Sequence, residues 1–294
     1  MTLSRRRFLQ SAAGLGLAAC GDQLHSQPRS TPPLTIAAAA SLQDSLHTIQ
    51  AHLPHLPPAT FTFGGSGTLQ FQIAQGAPVD LLITASPLPV DRLEAQGLLL
   101  PQSRRDLVGN SLVLITGQGE EAIEGFADLA SFFQANPRSR LAVGNPAIVP
   151  AGDYGVAVLR FLGLYDRLEP QLIWAQDVRQ VLAYVETGNV AAGLVYETDA
   201  RLRETVRSLA TAPEGSHPPI VYPGAVIRAS PQPEAARQFL DALAQPTAQA
   251  IFQRYGFRPL PTTGTLPAGS PYPRSPHSSG PHSREPQFPP VVGS

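Results

Sequence analysis

Leu34-Thr35-Ile36-Ala37-Ala38 runs on into Ala40-Ser41-Leu42, and that junction decides how the rest of the chain is read. The first five residues form a short apolar run that reads as a strand. From Ser41 onward, Leu42, Leu46, Ile49 and Leu53 fall at helical spacing on one face. A strand ends, a small hydroxyl residue follows, and a helix starts. The same design returns three times. Phe61-Thr62-Phe63 leads through Gly64-Gly65-Ser66-Gly67-Thr68 into a helix carrying Leu69, Ile73 and Ala74. Val149-Pro150-Ala151-Gly152 and Gln176-Asp177-Val178-Arg179 open helices over 151–162 and 178–187. A helix start exposes unpaired backbone N–H groups and the positive end of the macrodipole, so it suits an anion. Taken singly, Ser41 and Ser66 are ordinary N-caps, and Pro150 is ordinary at a helix entrance. Four such turns in one chain point to an anion site.

Further strands are predicted at 81–83, 112–115, 141–143, 192–196 and 225–227, and further helices ending near Gly97 and over 233–243 and 246–254. Strand and helix alternate, which predicts α/β layers with mostly parallel sheets. No internal repeat is present.

The two ends differ in kind from this middle. Ser4-Arg5-Arg6-Arg7-Phe8-Leu9-Gln10 resembles a twin-arginine export motif. The weakly apolar run behind it, 11–19, is shorter than the roughly 20 residues a membrane-spanning helix needs. It closes on Leu17-Ala18-Ala19-Cys20, which resembles a lipoprotein cleavage box, with Cys20 as the site of lipid attachment. Cys20 is the chain's single cysteine, so no internal disulfide can form. Residues 1–19 therefore read as a signal peptide and 20–33, with three prolines, as a tether. From 259 to 294, ten prolines mix with Gly, Ser and His, and this reads as a disordered tail.

Composition excludes several functions. Of 294 residues, 43% are apolar and 15% charged, and the formal charge is −1, with no basic stripe for nucleic acid. All 21 basic residues are arginine, so Schiff-base chemistry on lysine is absent. Removing Arg5, Arg6 and Arg7 with the signal leaves 18 basic against 22 acidic side chains, a formal charge of −4. A protein of that charge must hold an anion by local geometry. The seven histidines are scattered without zinc spacing. Gly64-Gly65-Ser66-Gly67-Thr68 is not a nucleophile elbow, because Thr68 stands where glycine is needed. Asp177 and Arg179 read as a surface ion pair, and Trp174 and Tyr184 as packing residues.

A resemblance then becomes specific. Ala38-Ala39-Ala40-Ser41-Leu42, Gly65-Ser66-Gly67-Thr68-Leu69 and Gly76-Ala77-Pro78-Val79-Asp80 are similar to the molybdate-binding proteins of ABC importers. So, in the same order, are Gly109-Asn110-Ser111-Leu112-Val113, Leu141-Ala142-Val143-Gly144-Asn145-Pro146, Val149-Pro150-Ala151-Gly152 and Gln176-Asp177-Val178-Arg179. Gly193-Leu194-Val195-Tyr196 and Arg254-Tyr255-Gly256-Phe257 complete the series, which runs from Leu34 to Phe257.

The resemblance implies a type II periplasmic-binding fold: two α/β lobes, 34–110 plus 224–258 and 111–223, with a ligand cleft between them. Two hinge crossings would lie near Gly109-Asn110 and Tyr222-Pro223. It implies an oxyanion, molybdate or tungstate, held by neutral donors: the hydroxyl and N–H groups of Ser41 and Ser66, the N–H groups of Ala151 and Val178, and the hydroxyl of Tyr196. The metal would enter as the oxyanion, with no cation ligands, no cofactor and no catalysis. The partners implied are a membrane permease and its ATPase. The protein would be a monomer, lipid-anchored on the periplasmic side. Asp153 departs from the pattern: a carboxylate in the first turn of an anion-binding helix repels the ligand if it points inward. The rival readings are a binding protein of the same fold for sulfate, phosphate or ferric ion, a secreted hydrolase using Ser66, and the sensor half of a transcription regulator.

Overall fold

The computed structural model describes residues 32–260. The segments read above as signal peptide and tether up to Thr31, Cys20 among them, and the segment read as a tail beyond Leu260 lie outside the described residues. In chain order the elements are β1 (Leu34–Ala39), α1 (Gln43–His52), β2 (Ala59–Gly64), α2 (Ser66–Ala74), β3 (Leu81–Ile83), α3 (Pro87–Ala95), β4 (Arg105–Gly109) and β5 (Leu112–Gly117). There follow α4 (Leu129–Ala135), β6 (Leu141–Gly144), α5 (Pro150–Phe161), α6 (Tyr165–Leu168), β7 (Leu172–Ala175), α7 (Val178–Glu186) and β8 (Ala192–Tyr196). The last are α8 (Glu197–Ala200), β9 (Val206–Thr211), β10 (Val221–Val226), α9 (Pro233–Leu243) and α10 (Pro246–Arg254). A 3-10 turn, Ala40–Leu42, joins β1 to α1.

The strands form two five-stranded sheets, β2-β1-β3-β10-β4 and β7-β6-β8-β5-β9. In β1, Ile36 and Ala38 face one buried cluster and Ala37 another. A strand covered on both faces has no reason to alternate, which accounts for its unbroken apolar run. Below the first sheet, Leu69, Ile73, Val90 and Leu93 of α2 and α3 pack on Ala37 and Leu82. Val181, Leu182 and Val185 of α7 do the same for Val113, Ile115 and Ala142 of the second sheet. The largest cluster continues from one sheet into the other through Tyr196, Tyr222, Val149 and Val178. Each fully buried large apolar side chain contributes about 1.5–3 kcal/mol.

Two expectations change. The sheets are mixed, not mostly parallel: β10 runs antiparallel between β3 and β4, and β5 runs antiparallel between β8 and β9. The chain crosses between the sheets at 110–111 and at 212–220. The second crossing thus precedes the expected boundary at 223/224, because Tyr222 and Pro223 already pair with β4 in the first sheet.

The parallel strands β1, β2, β6 and β7 set the position of the site. Each ends at the same rim and hands the chain to a helix or 3-10 turn, as open α/β sheets do where they bind ligands.

Candidate functional site

Four loops meet at that rim around a cavity of about 10 Å³. Its walls are Ala39–Ser41, Gly64–Ser66 and Ala85 from the first sheet, and Val149, Pro150, Asp177, Val178 and Tyr196 from the second. Larger hollows of about 570 and 420 Å³ lie elsewhere, lined by Glu214, His217 and Arg258 in one and by Glu120, Arg138 and Arg140 in the other. Size does not select the site here; convergence of helix starts does.

The two sheets touch across the cavity. Gly67 N–H donates to the Ile148 carbonyl at 2.8 Å. A Cβ on Gly65 would stand 2.7 Å from the Gln176 carbonyl oxygen, and one on Gly67 would stand 2.7 Å from Ile148 Cα. These glycines are needed because the opposite backbone comes too close for any side chain.

The five residues predicted to hold a ligand are all buried, between 0% and 3% exposed. Ser41, Ser66, Val178 and Tyr196 line the cavity; Ala151 lies directly behind Pro150, one residue from its wall. Ala151 is the second residue of α5, and no side chain caps that helix. Val178 is the first residue of α7, where the Asp177 carboxylate caps the Gln180 N–H at 2.9 Å. The start of α2 likewise lacks a side-chain cap. First-turn N–H groups have no intrahelical acceptor, so these ends are donors by construction.

The hydroxyls are set by their own neighbours. Ser66 Oγ accepts from the Ala85 N–H at 3.0 Å, which leaves its proton free to donate. Ser41 Oγ lies 2.9 Å from Tyr222 Oη. The Tyr196 hydroxyl is buried without a partner at hydrogen-bonding geometry among the described residues. Burial pushes this phenol well above its usual range, with Tyr222, Tyr154 and Asp199 adding to the shift. It is therefore a neutral O–H, able to donate.

Asp153 is exposed and absent from the cavity wall, so its carboxylate does not oppose an anion there. Arg179 departs from its expected pairing. Its guanidinium meets Asp44 at 2.6 Å across the cleft and the fully buried Asp199 at 2.9 Å, not Asp177. Asp177 is occupied capping α7. Asp199 titrates near 7, pushed up by burial and held down by Arg179. Asp80, from the Gly76–Asp80 motif, is structural: its carboxylate accepts from Thr35 N–H at 2.8 Å and from the Ser230 hydroxyl.

Sequence reading missed Asn110, Thr198 and Tyr222 as neighbours of the site. Asn110 Nδ2 donates to Thr198 Oγ1 at 3.0 Å and Tyr222 Oη at 3.1 Å. The signal available was a polar residue inside a motif already singled out. Its partners, 88 and 112 residues away, could not be read locally. Among the described residues no cluster of three or more His, Cys, Asp or Glu could hold a metal ion. Nor is any helix among them long and apolar enough to cross a membrane.

Comparison with known proteins fits this geometry. Residues 34–258 match the family described as bacterial extracellular solute-binding protein. A putative ABC transporter substrate-binding lipoprotein, YvgL of Bacillus subtilis (strain 168), is 38% identical over 76% of this chain and 85% of its own length. The molybdate-binding protein ModA of Escherichia coli (strain K12) is 35% identical over 86% of this chain and 98% of its own. The solved periplasmic molybdate-binding protein of Azotobacter vinelandii superposes with a TM-score of 0.68 at 25% identity, covering 78% of this chain and 99% of its own. The two mixed α/β sheets and the likeness to periplasmic binding proteins make this a two-lobe type II fold. On the family match over most of its length, the chain belongs to the bacterial extracellular solute-binding proteins.

Proposed function

We propose that this protein captures molybdate, and tungstate with little discrimination, outside the cytoplasm and delivers it to an ABC importer. The observation that carries the proposal is a small cavity whose walls offer donors and no basic side chain. Ser41, Ser66 and Tyr196 supply hydroxyls, and Ala151 and Val178 supply N–H groups at helix starts. The one carboxylate in the wall, Asp177, is engaged as a helix cap. A dianion ringed by donors loses no hydrogen bond to the cage, whereas a protonated anion brings an O–H with no acceptor. That argument disfavours hydrogen phosphate. Sulfate has no such proton and is excluded by its shorter bonds. The names of the relatives support the same ligand.

The lobes are 34–110 plus the chain from β10 to 258, and the segment between the two crossings. Ser41 and Ser66 stand on one and Ala151, Val178 and Tyr196 on the other, so ligand favours closure and the importer's permease recognises the closed face. The match to the extracellular solute-binding family supports a carrier. It works as a monomer, exported by the twin-arginine route and held on the periplasmic side by lipid on Cys20.

Thermal unfolding of the purified mature protein tests this directly. Molybdate and tungstate should raise Tm, with stabilisation of about 4 kcal/mol at roughly a thousandfold excess over Kd, while sulfate and phosphate should not. A larger shift with sulfate overturns the ligand assignment. For the anchor, Cys20→Ala should leave the membrane fraction or fail to mature; unchanged membrane association would count against lipidation.

A further inference from the structure

We propose that Asn110 and Tyr222 form a directional hydrogen-bond relay that commits the Ser41 hydroxyl to donate into the cage, and that this polarity is what rejects protonated oxyanions. The inference rests on the oxyanion reading above.

The direction follows from which atoms can only donate. Ser111 N–H points at one end of the Asn110 side chain at 2.8 Å, so that end is the carbonyl Oδ1. The other end is therefore the amide nitrogen, and its two hydrogens go to Thr198 Oγ1 and Tyr222 Oη. Tyr222 Oη accepts from Asn110 and lies 2.9 Å from Ser41 Oγ, and in the relay it is the phenol that gives its proton to the serine. Ser41 Oγ then already holds one incoming hydrogen bond, and its proton is left for the cavity it lines. Burial keeps Tyr222 a neutral phenol, so the chain does not reverse by ionisation. A serine without this neighbour rotates freely and accepts from an acidic O–H as readily as it donates. Ser66 is polarised in the same sense by Ala85 N–H, but there the backbone does it and no side chain is required.

Placement strengthens the case. Asn110 sits on the first crossing between the sheets, Tyr222 just beyond the second, and Thr198 in α8 of the second lobe. All three are buried. Asn110 thus holds one hydroxyl from each lobe.

Tyr222→Phe removes the relay oxygen and keeps the ring, which packs edge-on against Phe257 and against Tyr196. Titration calorimetry with molybdate and with inorganic phosphate, on the acid and alkaline sides of neutrality, is run on parent, Tyr222→Phe, Ser41→Ala and the double variant. Molybdate should bind about fivefold more weakly to Tyr222→Phe. The phosphate-to-molybdate Kd ratio should fall by about tenfold or more on the acid side, where phosphate carries protons. In the Ser41→Ala background, Tyr222→Phe should leave the ratio unchanged. Equal weakening of both anions, or an unchanged ratio in the single variant, overturns the relay. Should Tyr222→Phe melt far below the parent, Asn110→Asp takes its place: its second oxygen turns the Tyr222 proton away from Ser41, and the ratio must fall further. A parent that binds phosphate and not molybdate overturns the ligand reading itself, a result distinct from any variant's.

Discussion

The two walls of the proposed oxyanion cage solve one problem by different means. On the first lobe, Ser41 and Ser66 present hydroxyls, and a hydroxyl is a donor only if something else fixes its proton. Ala85 N–H does so for Ser66 and the Asn110–Tyr222 pair for Ser41. On the second lobe, Ala151 and Val178 present backbone N–H groups at the starts of α5 and α7, where the helix itself fixes direction. A side-chain donor therefore needs supporting residues, while a backbone donor needs only the right φ and ψ. The first wall should be sensitive to changes at residues that never touch ligand. The second should depend on its N–H groups and not on side-chain chemistry, within the little room that buried Ala151 and Val178 leave.

The largest effect should come from keeping the walls apart. Gly67→Ala places a Cβ 2.7 Å from Ile148 Cα, so the lobes cannot close as they do here. Affinity should fall on the order of 100-fold, about 3 kcal/mol of overpacking. The unliganded protein should melt no lower than the parent, since alanine is about 1 kcal/mol better than glycine inside α2. A variant that closes and binds normally would show that the approach of Gly67 to Ile148 is dispensable.

Next comes the backbone wall. Ala151→Pro removes one N–H in a helix's first turn, where proline is tolerated. A lost bond to a charged acceptor is worth about 1.5–3 kcal/mol, roughly 10- to 150-fold in Kd. Ala151→Ser, which keeps the N–H, should bind nearly as the parent does. If both variants bind alike at equal Tm, the donor is elsewhere.

A smaller effect is expected from Asp199, behind the second wall. Its folded pKa of about 7 lies above the ordinary 3.8, so through that window the folded protein keeps a proton that the unfolded chain has released. Stability should therefore decline as pH rises from about 4 to about 7, by at most about 1.4 kcal/mol per unit, and level off above it. Asp199→Asn should flatten that part of the profile, measured by urea unfolding at several pH values. The same slope in the variant would assign it to another group.

Smallest should be the ion pair that ties the two walls together. Asp44→Asn removes the Arg179 contact across the cleft at a site where Asp44 is 38% exposed. Exposed pairs contribute about 0–1 kcal/mol, so affinity should weaken less than about fivefold, and the difference should vanish at high salt. A loss persisting in high salt would mean that Arg179 also orients α7.

Much of this site was legible in order along the chain. The four strand-to-helix junctions, the sequence Ala40-Ser41-Leu42 and the small residues around Ser66 all announce helix starts. That depends on local backbone chemistry alone. The strands that escaped, β4, β7 and β9, are all edge strands, and β4 and β9 carry exposed residues that blur their patterning. Their existence depends on a partner strand more than on their own residues. Arg179 was misread for a related reason: its nearest carboxylate in sequence, Asp177, is already spent on a cap.

By itself, then, the sequence determined where helices begin, which faces are apolar, and that donors recur at four turns, because each of these is settled within a few residues. Tertiary structure alone decided that Gly65 and Gly67 must be glycine and that Arg179 spans the cleft. It also brought Ser41 Oγ within 2.9 Å of Tyr222 Oη, 181 residues away. Direction in a hydrogen bond belongs to the pair of atoms and not to either residue, and only the fold brings those pairs together.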